Sequence, residues 1–388
     1  MNTQQKTVAI LGASGSVGRA SVEVARASGY PVALLAGCRS VKAMEEAARA
    51  VSPSLCVMTD EAAARELSLC LADTSCRVLS GEEGLFEAIA ECSAEVFVNA
   101  ILGRDGLLPS LAVLRRGARL ALANKETMVI AGEHVRREAL SYGAEILPVD
   151  SEHSAIFQCL KAGRASEVKR LILTASGGPF RGYDRARLAE VTLSDALKHP
   201  TWRMGKKITV DSATLMNKAF EWIEAVHLFE VSPDSVEIVI HPESIIHSCV
   251  EYIDNAVVAE MSLPDMKTCV QYAISYPERA SAMVAPLDLC ALGRLTFERP
   301  DASTFTALSL AETALDAGGV APAVLNAADE VAVSAFLREE ISFLAITDIV
   351  GETLAALSPR GDSLEDILAA DKEARLYATA LLSGYKKG

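Results

Sequence analysis

The sequence has few of the features that mark membrane, secreted or nucleic-acid-binding proteins. In its 388 residues no apolar run approaches the ~18 residues that a membrane-spanning helix needs. Polar Asn2–Lys6 leads directly into a strand-like run, without the pattern of a signal peptide. The nine cysteines form no C-x-x-C pair, which is typical of reduced thiols in a cytoplasmic protein. We therefore expect a cytoplasmic protein that has no membrane partner.

An excess of basic residues is also lacking, because Lys and Arg number 37 against 51 Asp and Glu, and the formal net charge is −14. A nucleic-acid partner is therefore not expected. An anionic substrate needs a local group of cations, and the candidates cluster between His199 and Lys218. The chain is long enough for two or three domains with large cores.

The first element is a buried strand, Thr7–Leu11, that runs into the glycine-rich turn Gly12–Gly18 and then into a helical pattern over Arg19–Ala27. Glycines allow a tight turn and a close approach of the backbone, and the helix N-terminus offers N–H groups to a pyrophosphate. We interpret the turn as a dinucleotide-binding site. An ordinary strand–turn–helix connection is the alternative.

The second strand, Pro31–Ala36, ends in Gly37-Cys-Arg-Ser40. An NAD-binding protein usually has an acidic residue at this place for the ribose 2′-hydroxyl, and none is present. Arg39 instead is able to pair with a 2′-phosphate, which favours NADP(H) over NAD(H). The alternative is a solvated loop arginine.

Further short apolar strands alternate with helical stretches, which is typical of a doubly wound parallel sheet. They are Leu55–Met58, Arg77–Leu79, Val96–Ala100, Arg119–Ala123 and Glu145–Val149. Ligands bind beyond the carboxyl ends of such strands, where Ala100–Gly103, Asn124–Glu126 and Asp150–Glu152 fall. The segment Asn124–Glu126 is equally consistent with a plain helix cap.

Three carboxylates predict a metal site. Asp150 and Glu152 are separated by one residue after a strand, so both carboxylates can point to one side, and Glu221 supplies a third hard oxygen ligand suited to Mg²⁺ or Mn²⁺. The alternative for Asp150 and Glu152 is an ordinary helix start. We predict a strand end at Ile208–Val210 and then a helix on which Asn217 and Glu221 share a face with Lys218 beside them. An ordinary surface ion pair is the alternative there.

The central part of the chain predicts a smaller α+β domain. Leu171–Thr174 is a strand that enters a possible anion-binding turn, Ala175–Phe180. The long segment that follows carries Trp202, which either covers the substrate as part of a lid or anchors the loop on the core. Val236–Ile240, Ser244–Glu251 and Ala256–Leu263 alternate like antiparallel strands.

The expected fold is therefore α/β, with an N-terminal doubly wound, Rossmann-type parallel sheet, a central α+β catalytic domain and a C-terminal helical bundle. Helical spacing from Thr306 onward predicts three to four helices, with breaks at Gly318-Gly319, Ser342-Phe343 and 358–361. The predicted domains are a nucleotide-binding domain (1–150), a catalytic domain with a mobile loop (151–285), a connector (286–305) and the helical domain (306–388).

Taken together, these segments resemble the 1-deoxy-D-xylulose 5-phosphate reductoisomerase family over nearly the whole chain. The resemblance is most specific in Gly12–Gly18, Leu122–Glu126 with Pro148–His153, Ser176–Phe180 with His199–Glu224, and His241–Lys267. It implies an enzyme that isomerises 1-deoxy-D-xylulose 5-phosphate and reduces the aldehyde intermediate with NADPH to 2-C-methyl-D-erythritol 4-phosphate, in the non-mevalonate isoprenoid pathway. It also implies a homodimer and a requirement for Mg²⁺ or Mn²⁺.

The resemblance assigns roles residue by residue. Asp150, Glu152 and Glu221 hold the metal and, with Lys125 and His199, form the catalytic set. The predicted substrate-binding residues are Lys125, Ser151, Glu152, Ser176, His199, Trp202, Ser212, Asn217, Lys218 and Glu221. The predicted nucleotide-binding residues are Gly12, Ser14, Gly15, Ser16, Val17, Gly37, Cys38, Arg39, Asn124, Glu126 and Gly205.

Some positions depart from the usual family pattern. They are Arg39, Arg104, Asp105, Thr127, Glu243, Cys269 and Asp329. None of these departures removes a predicted metal ligand or a predicted ligand of the substrate phosphate. Two other functions are consistent with parts of the sequence: a metal-independent NADP dehydrogenase acting on a semialdehyde, and a catalytically silent NADP-binding sensor.

Overall fold

The computed structural model describes residues 6–202, 204–357 and 361–386 and divides the chain into two compact units. Unit 1 contains Met1–Thr127, Val135–Ser154 and Asp265–Ala285, and unit 2 contains the remaining segments, Met128–His134, Ala155–Pro264 and Pro286–Gly388. Residues 265–285, which the sequence-based division assigns to the catalytic domain, group with unit 1. The four functional domains themselves stay a prediction.

Unit 1 is built on a seven-stranded parallel sheet, as predicted, in the order β4-β3-β2-β1-β5-β6-β7. The strands are β1 (Val8–Leu11), β2 (Val32–Gly37), β3 (Leu55–Met58), β4 (Arg77–Ser80), β5 (Val96–Asn99), β6 (Arg119–Leu122) and β7 (Ile146–Pro148). The strand order reverses between β1 and β5. In doubly wound sheets this reversal opens the crevice in which a nucleotide binds.

Continuous apolar runs mark the central strands, as expected where helices cover both faces of a parallel sheet. Every residue of β1, β3 and β5 is buried. The helices that follow the strands are α1 (Ser16–Ser28), α2 (Val41–Val51), α3 (Glu61–Cys70), α4 (Gly81–Glu91), α5 (Leu107–Leu114), α6 (Lys125–Tyr142) and α7 (Ser151–Cys159). The helices α6 and α7 each begin at the carboxyl end of a strand, where polar ligands are expected.

Unit 2 contains a mixed four-stranded sheet in the order β11-β10-β8-β9. Its strands are β8 (Val168–Ala175), β9 (Val236–Ile240), β10 (Ile246–Tyr252) and β11 (Val257–Met261). Strand β10 is antiparallel to β8 and to β11, which confirms that part of the prediction. The antiparallel prediction for Val236–Ile240 is wrong, because β9 pairs in parallel with β8. The long helical segment between these two strands provides the crossover that a parallel pair needs.

The helices of the second half of the chain belong to unit 2, except for α12. They are α8 (Arg185–Ala189), α9 (Leu193–Ala196), α10 (Lys206–Thr214), α11 (Met216–Phe229), α12 (Met266–Ser275), α13 (Leu289–Leu292), α14 (Ala307–Ala317), α15 (Ala321–Leu337), α16 (Phe343–Ala356) and α17 (Leu364–Tyr385). Among the described residues, no helix is both long and apolar enough to cross a membrane.

The strand end predicted at Ile208–Val210 is wrong, since these residues lie within α10. Thr209 and Val210 are buried, and the Thr209 hydroxyl donates to the carbonyl oxygen of Gly205 at 2.8 Å. A three-residue alternation does not distinguish a strand from one turn of a buried helix. Leu215, with a left-handed φ of 64°, separates α10 from α11. The helix predicted to follow is confirmed, and Thr214 accepts a hydrogen bond from the amide of Met216 at its start.

The predicted C-terminal helical group is present as α14–α17, which share one core with α10 and α11. The Ser342 hydroxyl caps α16, and Ser363 and Asp366 form a capping box at the start of α17. Phe180 and Phe343 meet edge to face within this core, with ring centroids 5.0 Å apart. In the predicted break at 358–361, residues 358–360 lie outside the described residues.

Candidate active site

The glycine turn lies at the point where the strand order of unit 1 reverses. Gly12 has a φ of +83°, and a Cβ there would lie 2.4 Å from the carbonyl oxygen of Ala100, just after β5. A Cβ on Gly18 would lie 2.1 Å from the carbonyl oxygen of Gly12. Both positions therefore require glycine, as the sequence pattern indicates. The predicted nucleotide contacts Gly12, Ser14, Gly15, Ser16 and Val17 all lie in this turn or at the start of α1.

Gly37 is the last residue of β2, the strand that neighbours β1, and Cys38 and Arg39 follow it directly. The side chain of Arg39 is 82% exposed, and its Nε lies 3.2 Å from Oδ2 of Asp60. Asp60 also caps α3, and its pKa is lowered mainly by the hydrogen bond from the amide of Ala63, with smaller effects from Ala62 and Arg39. Asp60 was not predicted from the sequence as part of this region, although an Asp directly before a helical run is a capping signal. Arg39 therefore already has an acidic partner.

Asn124 lies in the short connection after β6 and serves as the N-cap of α6. Its Oδ1 accepts a hydrogen bond from the amide of Thr127 at 2.8 Å, and its Nδ2 donates to the carbonyl oxygens of Ile101 and Gly103. Nδ2 also lies 3.1 Å from Oε2 of Glu126. The interpretation of Asn124 as a helix cap is thus correct, and its side chain also stabilises the loop after β5 by hydrogen bonds. Asn99 is a further polar residue in this region that the sequence analysis missed, and it donates to Ser110 at 2.7 Å.

The carboxylate of Asp150 is held by Lys125. The Nζ of Lys125 lies 2.9 Å from Oδ2 of Asp150, and both side chains are largely buried. Burial alone would raise the pKa of Asp150, but the ammonium of Lys125, together with His153 and Glu152, holds this pKa well below its usual range. The hydroxyl of Ser151 donates to Oε2 of Glu152 at 2.5 Å. Unit 1 therefore brings four predicted site residues together and keeps Asp150 ionised.

In unit 2, Ser176, His199 and Ser212 meet. The Nε2 of His199 lies 3.0 Å from the hydroxyl oxygen of Ser176 and 3.1 Å from that of Ser212. The Nδ1 accepts hydrogen bonds from the amides of Thr201 and Trp202 at 3.2 and 2.9 Å. Burial lowers the pKa of His199, so the ring is neutral near pH 7. With Nδ1 as an acceptor, the proton of the neutral ring lies on Nε2, facing the two hydroxyls.

This cluster depends on close backbone packing. Gly178 has a φ of +65°, and a Cβ there would lie 2.6 Å from the carbonyl oxygen of Ser212. Beside Ser176 lies a cavity of about 620 Å³, whose lining includes Arg181, Arg187 and Lys198. The turn after β8 therefore offers several hydrogen-bond donors in a small space, which is the property of an anion-binding nest.

On α11, Glu221 lies between an amide and an ammonium group. The Nδ2 of Asn217 donates to Oε1 of Glu221, and the Nζ of Lys218 donates to Oε2. The side chains of Lys218 and Glu221 are 4% and 1% exposed. The predicted shared face of Asn217 and Glu221 is confirmed, and the pair of Lys218 and Glu221 is buried. The alternative of an ordinary surface ion pair is therefore wrong.

Trp202 and Gly205 lie on the segment that precedes α10. The indole of Trp202 is half-buried, and its ring centroid lies 6.1 Å from that of His247. Gly205 is the N-cap residue of α10. The hydroxyl of Thr201 donates to the carbonyl oxygen of Pro242 at 3.3 Å, a contact that the sequence analysis missed.

Unit 1 has the strand order and glycine turn of a Rossmann-type α/β protein, and both units carry buried polar clusters of the kind found in enzyme active sites. Sequence models of the 1-deoxy-D-xylulose 5-phosphate reductoisomerase family match residues 8–132, and models of its C-terminal domains match residues 146–229 and 261–377. The chain is similar to the 1-deoxy-D-xylulose 5-phosphate reductoisomerase of Caldanaerobacter subterraneus subsp. tengcongensis, with 48% identity over 95% of this chain and 97% of the relative. The enzyme of the same name from Rhodospirillum centenum is 46% identical over 97% of this chain and 94% of the relative. The chain belongs to the 1-deoxy-D-xylulose 5-phosphate reductoisomerase family.

Solved structures of this family have the same fold. The reductoisomerase from Zymomonas mobilis in complex with NADPH matches with a TM-score of 0.92 and 42% identity, over 98% of this chain and 99% of that chain. A DOX-P reductoisomerase in complex with NADPH, fosmidomycin and magnesium matches with a TM-score of 0.92 and 39% identity, over 97% of this chain and 98% of that chain. The fold class predicted from the sequence is confirmed.

Proposed function

We propose that the protein converts 1-deoxy-D-xylulose 5-phosphate into 2-C-methyl-D-erythritol 4-phosphate in the non-mevalonate isoprenoid pathway, with NADPH as the reductant and Mg²⁺ or Mn²⁺ as the metal. The observation that carries the proposal is the extent of the family match. The matched ranges 8–132 and 146–229 contain all the predicted site residues. A semialdehyde dehydrogenase or a silent sensor would not need the metal- and phosphate-binding groups together.

The donor chemistry of the predicted metal ligands fits a hard divalent cation. Asp150 is ionised, because its pKa is lowered by Lys125, and Glu152 adds a second carboxylate from the same helix start. Carboxylate oxygens are the ligands that Mg²⁺ and Mn²⁺ prefer. We propose that Asp150, Glu152 and Glu221 hold one cation. When bound, it supplies Lewis-acid polarisation of the substrate ketone, and NADPH supplies the hydride.

The phosphate of the substrate binds to the neutral donors of unit 2. The Nε2–H of His199 and the hydroxyls of Ser176 and Ser212 point into one small region, and they donate to phosphate oxygens. Asn217 and Lys218 add an amide and an ammonium group from α11. Lys125 adds a buried positive charge in unit 1, which stabilises negative charge that develops on the substrate oxygens.

NADPH binds at the carboxyl end of the unit 1 sheet. The backbone amides of the turn Gly12–Gly18 and the start of α1 hold the pyrophosphate. Gly37, Cys38 and Arg39 face the adenine ribose, and Arg39 pairs with the 2′-phosphate, for which it must leave Asp60. Asn124 and Glu126 complete the nucleotide site from the start of α6, and Gly205 adds a contact from the start of α10.

We also propose a cytoplasmic homodimer. Strand β11 is an edge strand of the unit 2 sheet, and Val257 on it is 53% exposed. Unpaired backbone groups on an edge strand are a template for a second copy of the chain. No disulfide joins any of the nine cysteines, all of which are among the described residues, as expected of a protein in a reducing compartment.

The function is tested by NADPH oxidation by the purified protein with 1-deoxy-D-xylulose 5-phosphate, with Mg²⁺ or Mn²⁺ and with chelator. We expect turnover only when the metal and the substrate are both present, and mass spectrometry identifies the product as 2-C-methyl-D-erythritol 4-phosphate. Transfer of deuterium from labelled NADPH to the product checks the hydride step. Metal-independent oxidation of NADPH by a semialdehyde, with no reaction of the deoxyxylulose phosphate, would replace this proposal with the dehydrogenase.

A further inference from the structure

A buried cluster of three charged residues joins α10 to the C-terminal helices. Lys207 lies in the first turn of α10, and its Nζ is 2.7 Å from Oδ2 of Asp211 on the same helix. The same Nζ is 3.0 Å from Oδ2 of Asp329 on α15. The side chain of Asp329 is 0% exposed, that of Asp211 is 4% exposed, and that of Lys207 is 23% exposed. One ammonium group therefore serves two buried carboxylates.

These charges fix the position of α10. A buried carboxylate is costly unless it is paired and hydrogen-bonded, so Asp329 holds the ammonium of Lys207 in place. The Nζ of Lys207 also lies 5.3 Å from the centroid of the Phe220 ring on α11, within the range of a cation–π contact. Lys207 thus links α10 to α11 and α15 at a single point.

The helix α10 carries one member of the phosphate-binding cluster. Ser212 follows Asp211 directly, and its hydroxyl lies 3.1 Å from Nε2 of His199. Ser176 is the first residue after β8 and does not belong to α10. A shift of α10 would therefore move Ser212 away from His199 and Ser176, because those two residues lie outside this helix. Hydrogen-bond donors around an anion lose much of their effect when they move by about 1 Å.

We propose that Asp329 is a positioning residue for substrate phosphate binding, which acts through Lys207 to hold α10 and Ser212 in place. The inference rests on the proposed function, because it assumes that Ser176, His199 and Ser212 bind the substrate phosphate. In this role Asp329 acts through Lys207 and needs no contact of its own with substrate or cofactor. The expected signature is a loss of apparent affinity for the substrate, with kcat and the KM for NADPH nearly unchanged.

The test compares substitutions at Asp329 in the full-length enzyme. Asp329→Ala should raise the KM for the deoxyxylulose phosphate about tenfold, the size expected when a charged hydrogen bond is lost, and change kcat by less than about twofold. Asp329→Asn keeps an oxygen acceptor for Lys207, so its KM should rise by less than about threefold. In a Lys207→Met background, Asp329→Ala should change KM by less than about twofold, because the contact between Asp329 and Lys207 is already absent.

Asp371→Ala is the matched control. Asp371 is buried and lies 2.9 Å from Arg375, so it is also one member of a buried ion pair in the helical region of unit 2. Its loss should lower Tm without raising KM. If Asp329→Ala lowers Tm but leaves KM unchanged, or if Asp329→Asn is as impaired as Asp329→Ala, the positioning role is wrong. Failure of the proposed function would appear separately, as a wild-type enzyme that does not turn over this substrate.

Discussion

At the scale of single residues, burial and pairing fix the protonation states on which binding depends. Lys125 keeps Asp150 ionised despite its burial, and burial keeps His199 neutral. The sequence identifies Asp150 and His199 as candidate site residues, but it does not show which ring nitrogen of His199 carries the proton. That tautomer follows from the two backbone amides that point at Nδ1, and these are positioned by the local turn at Thr201 and Trp202.

The lowered pKa of His199 predicts a pH-dependent contribution to stability. Burial places the pKa of the folded state below the ordinary 6.5, so the unfolded chain takes up a proton more readily. The contribution of His199 to the free energy of unfolding is fully present above the ordinary pKa, and it is lost as the pH falls through the pKa of the folded state. Urea unfolding of the wild type and of His199→Gln should therefore give a stability difference that shrinks between about pH 8 and about pH 5. A difference that does not change with pH would mean that the histidine titrates normally.

The ion pair of Arg39 and Asp60 leads to a prediction for the affinity for NADPH. Arg39→Ala should raise the KM for NADPH about threefold to tenfold and leave NADH kinetics unchanged, because the exposed guanidinium must first leave Asp60. Asp60→Asn keeps the Oδ1 that caps α3 but removes the competing charge, so it should lower the KM for NADPH by up to about threefold.

The control is Arg65→Ala, which removes another exposed arginine, on α3, that lies 3.7 Å from Glu61. It should leave the KM for NADPH unchanged. An equal effect of Arg65→Ala and Arg39→Ala would show that general surface charge, and not a contact with the 2′-phosphate, sets the affinity. Equal use of NADPH and NADH by the wild type would also contradict the assignment.

At the scale of elements, long and strongly patterned segments could be predicted and short ones could not. The apolar strands of unit 1 and the helical group that follows Thr306 were predicted correctly from the sequence. The run Ile208–Val210 was misread because its burial comes from α15 and the C-terminal core, which lie far away in sequence. The direction of β9 was misread because alternation shows a half-buried strand and not its partner.

The predicted lid is the segment before α10, which contains Trp202. If Trp202 covers bound substrate, Trp202→Ala should lower kcat/KM more than about tenfold and lower Tm by less than about 3 °C, because a lid adds little to the core. Trp222→Ala is the matched control, since Trp222 packs against two hydrophobic cores and donates to the carbonyl oxygen of Pro233 at 3.3 Å.

For Trp222→Ala we expect the larger fall in Tm, because this indole is part of the folded core. Thermal scans of both variants beside steady-state kinetics separate the two roles. If Trp202→Ala destabilises the protein as much as Trp222→Ala does, the half-buried indole is an anchor of the segment on the sheet beside His247. The lid would then have to be assigned to other residues.

At the scale of the whole molecule, the net charge of −14 opposes the binding of a phosphorylated substrate and of NADPH. Local donors must overcome this repulsion, and they are gathered from segments that are distant in sequence, such as Ser176, His199 and Ser212. The sequence could identify these segments by their motifs. It could not show supporting contacts such as Lys207 with Asp329, because those depend on how the C-terminal helices pack.

The metal requirement separates catalysis from nucleotide binding. Three predicted carboxylate ligands repel one another and a phosphorylated substrate unless a cation neutralises them. The nucleotide is expected to be held mainly by the glycine turn of unit 1 and should not need the metal. EDTA on the wild type, or Glu221→Gln, should therefore reduce turnover by at least about three orders of magnitude and change the affinity for NADPH by less than about threefold.

Fluorescence titration of NADPH, alongside the turnover assay, measures both quantities on the same preparation. Glu312→Gln, at an exposed position on α14, is the matched control, and it should retain full turnover because its carboxylate lies on the protein surface. Mg²⁺ or Mn²⁺ added back after EDTA should restore the wild type but not Glu221→Gln, because only the variant has lost a ligand. Full activity in chelator would eliminate the metal site. Loss of NADPH binding in Glu221→Gln would show that the substitution disturbs the fold, since the buried partner Lys218 is then left without its carboxylate.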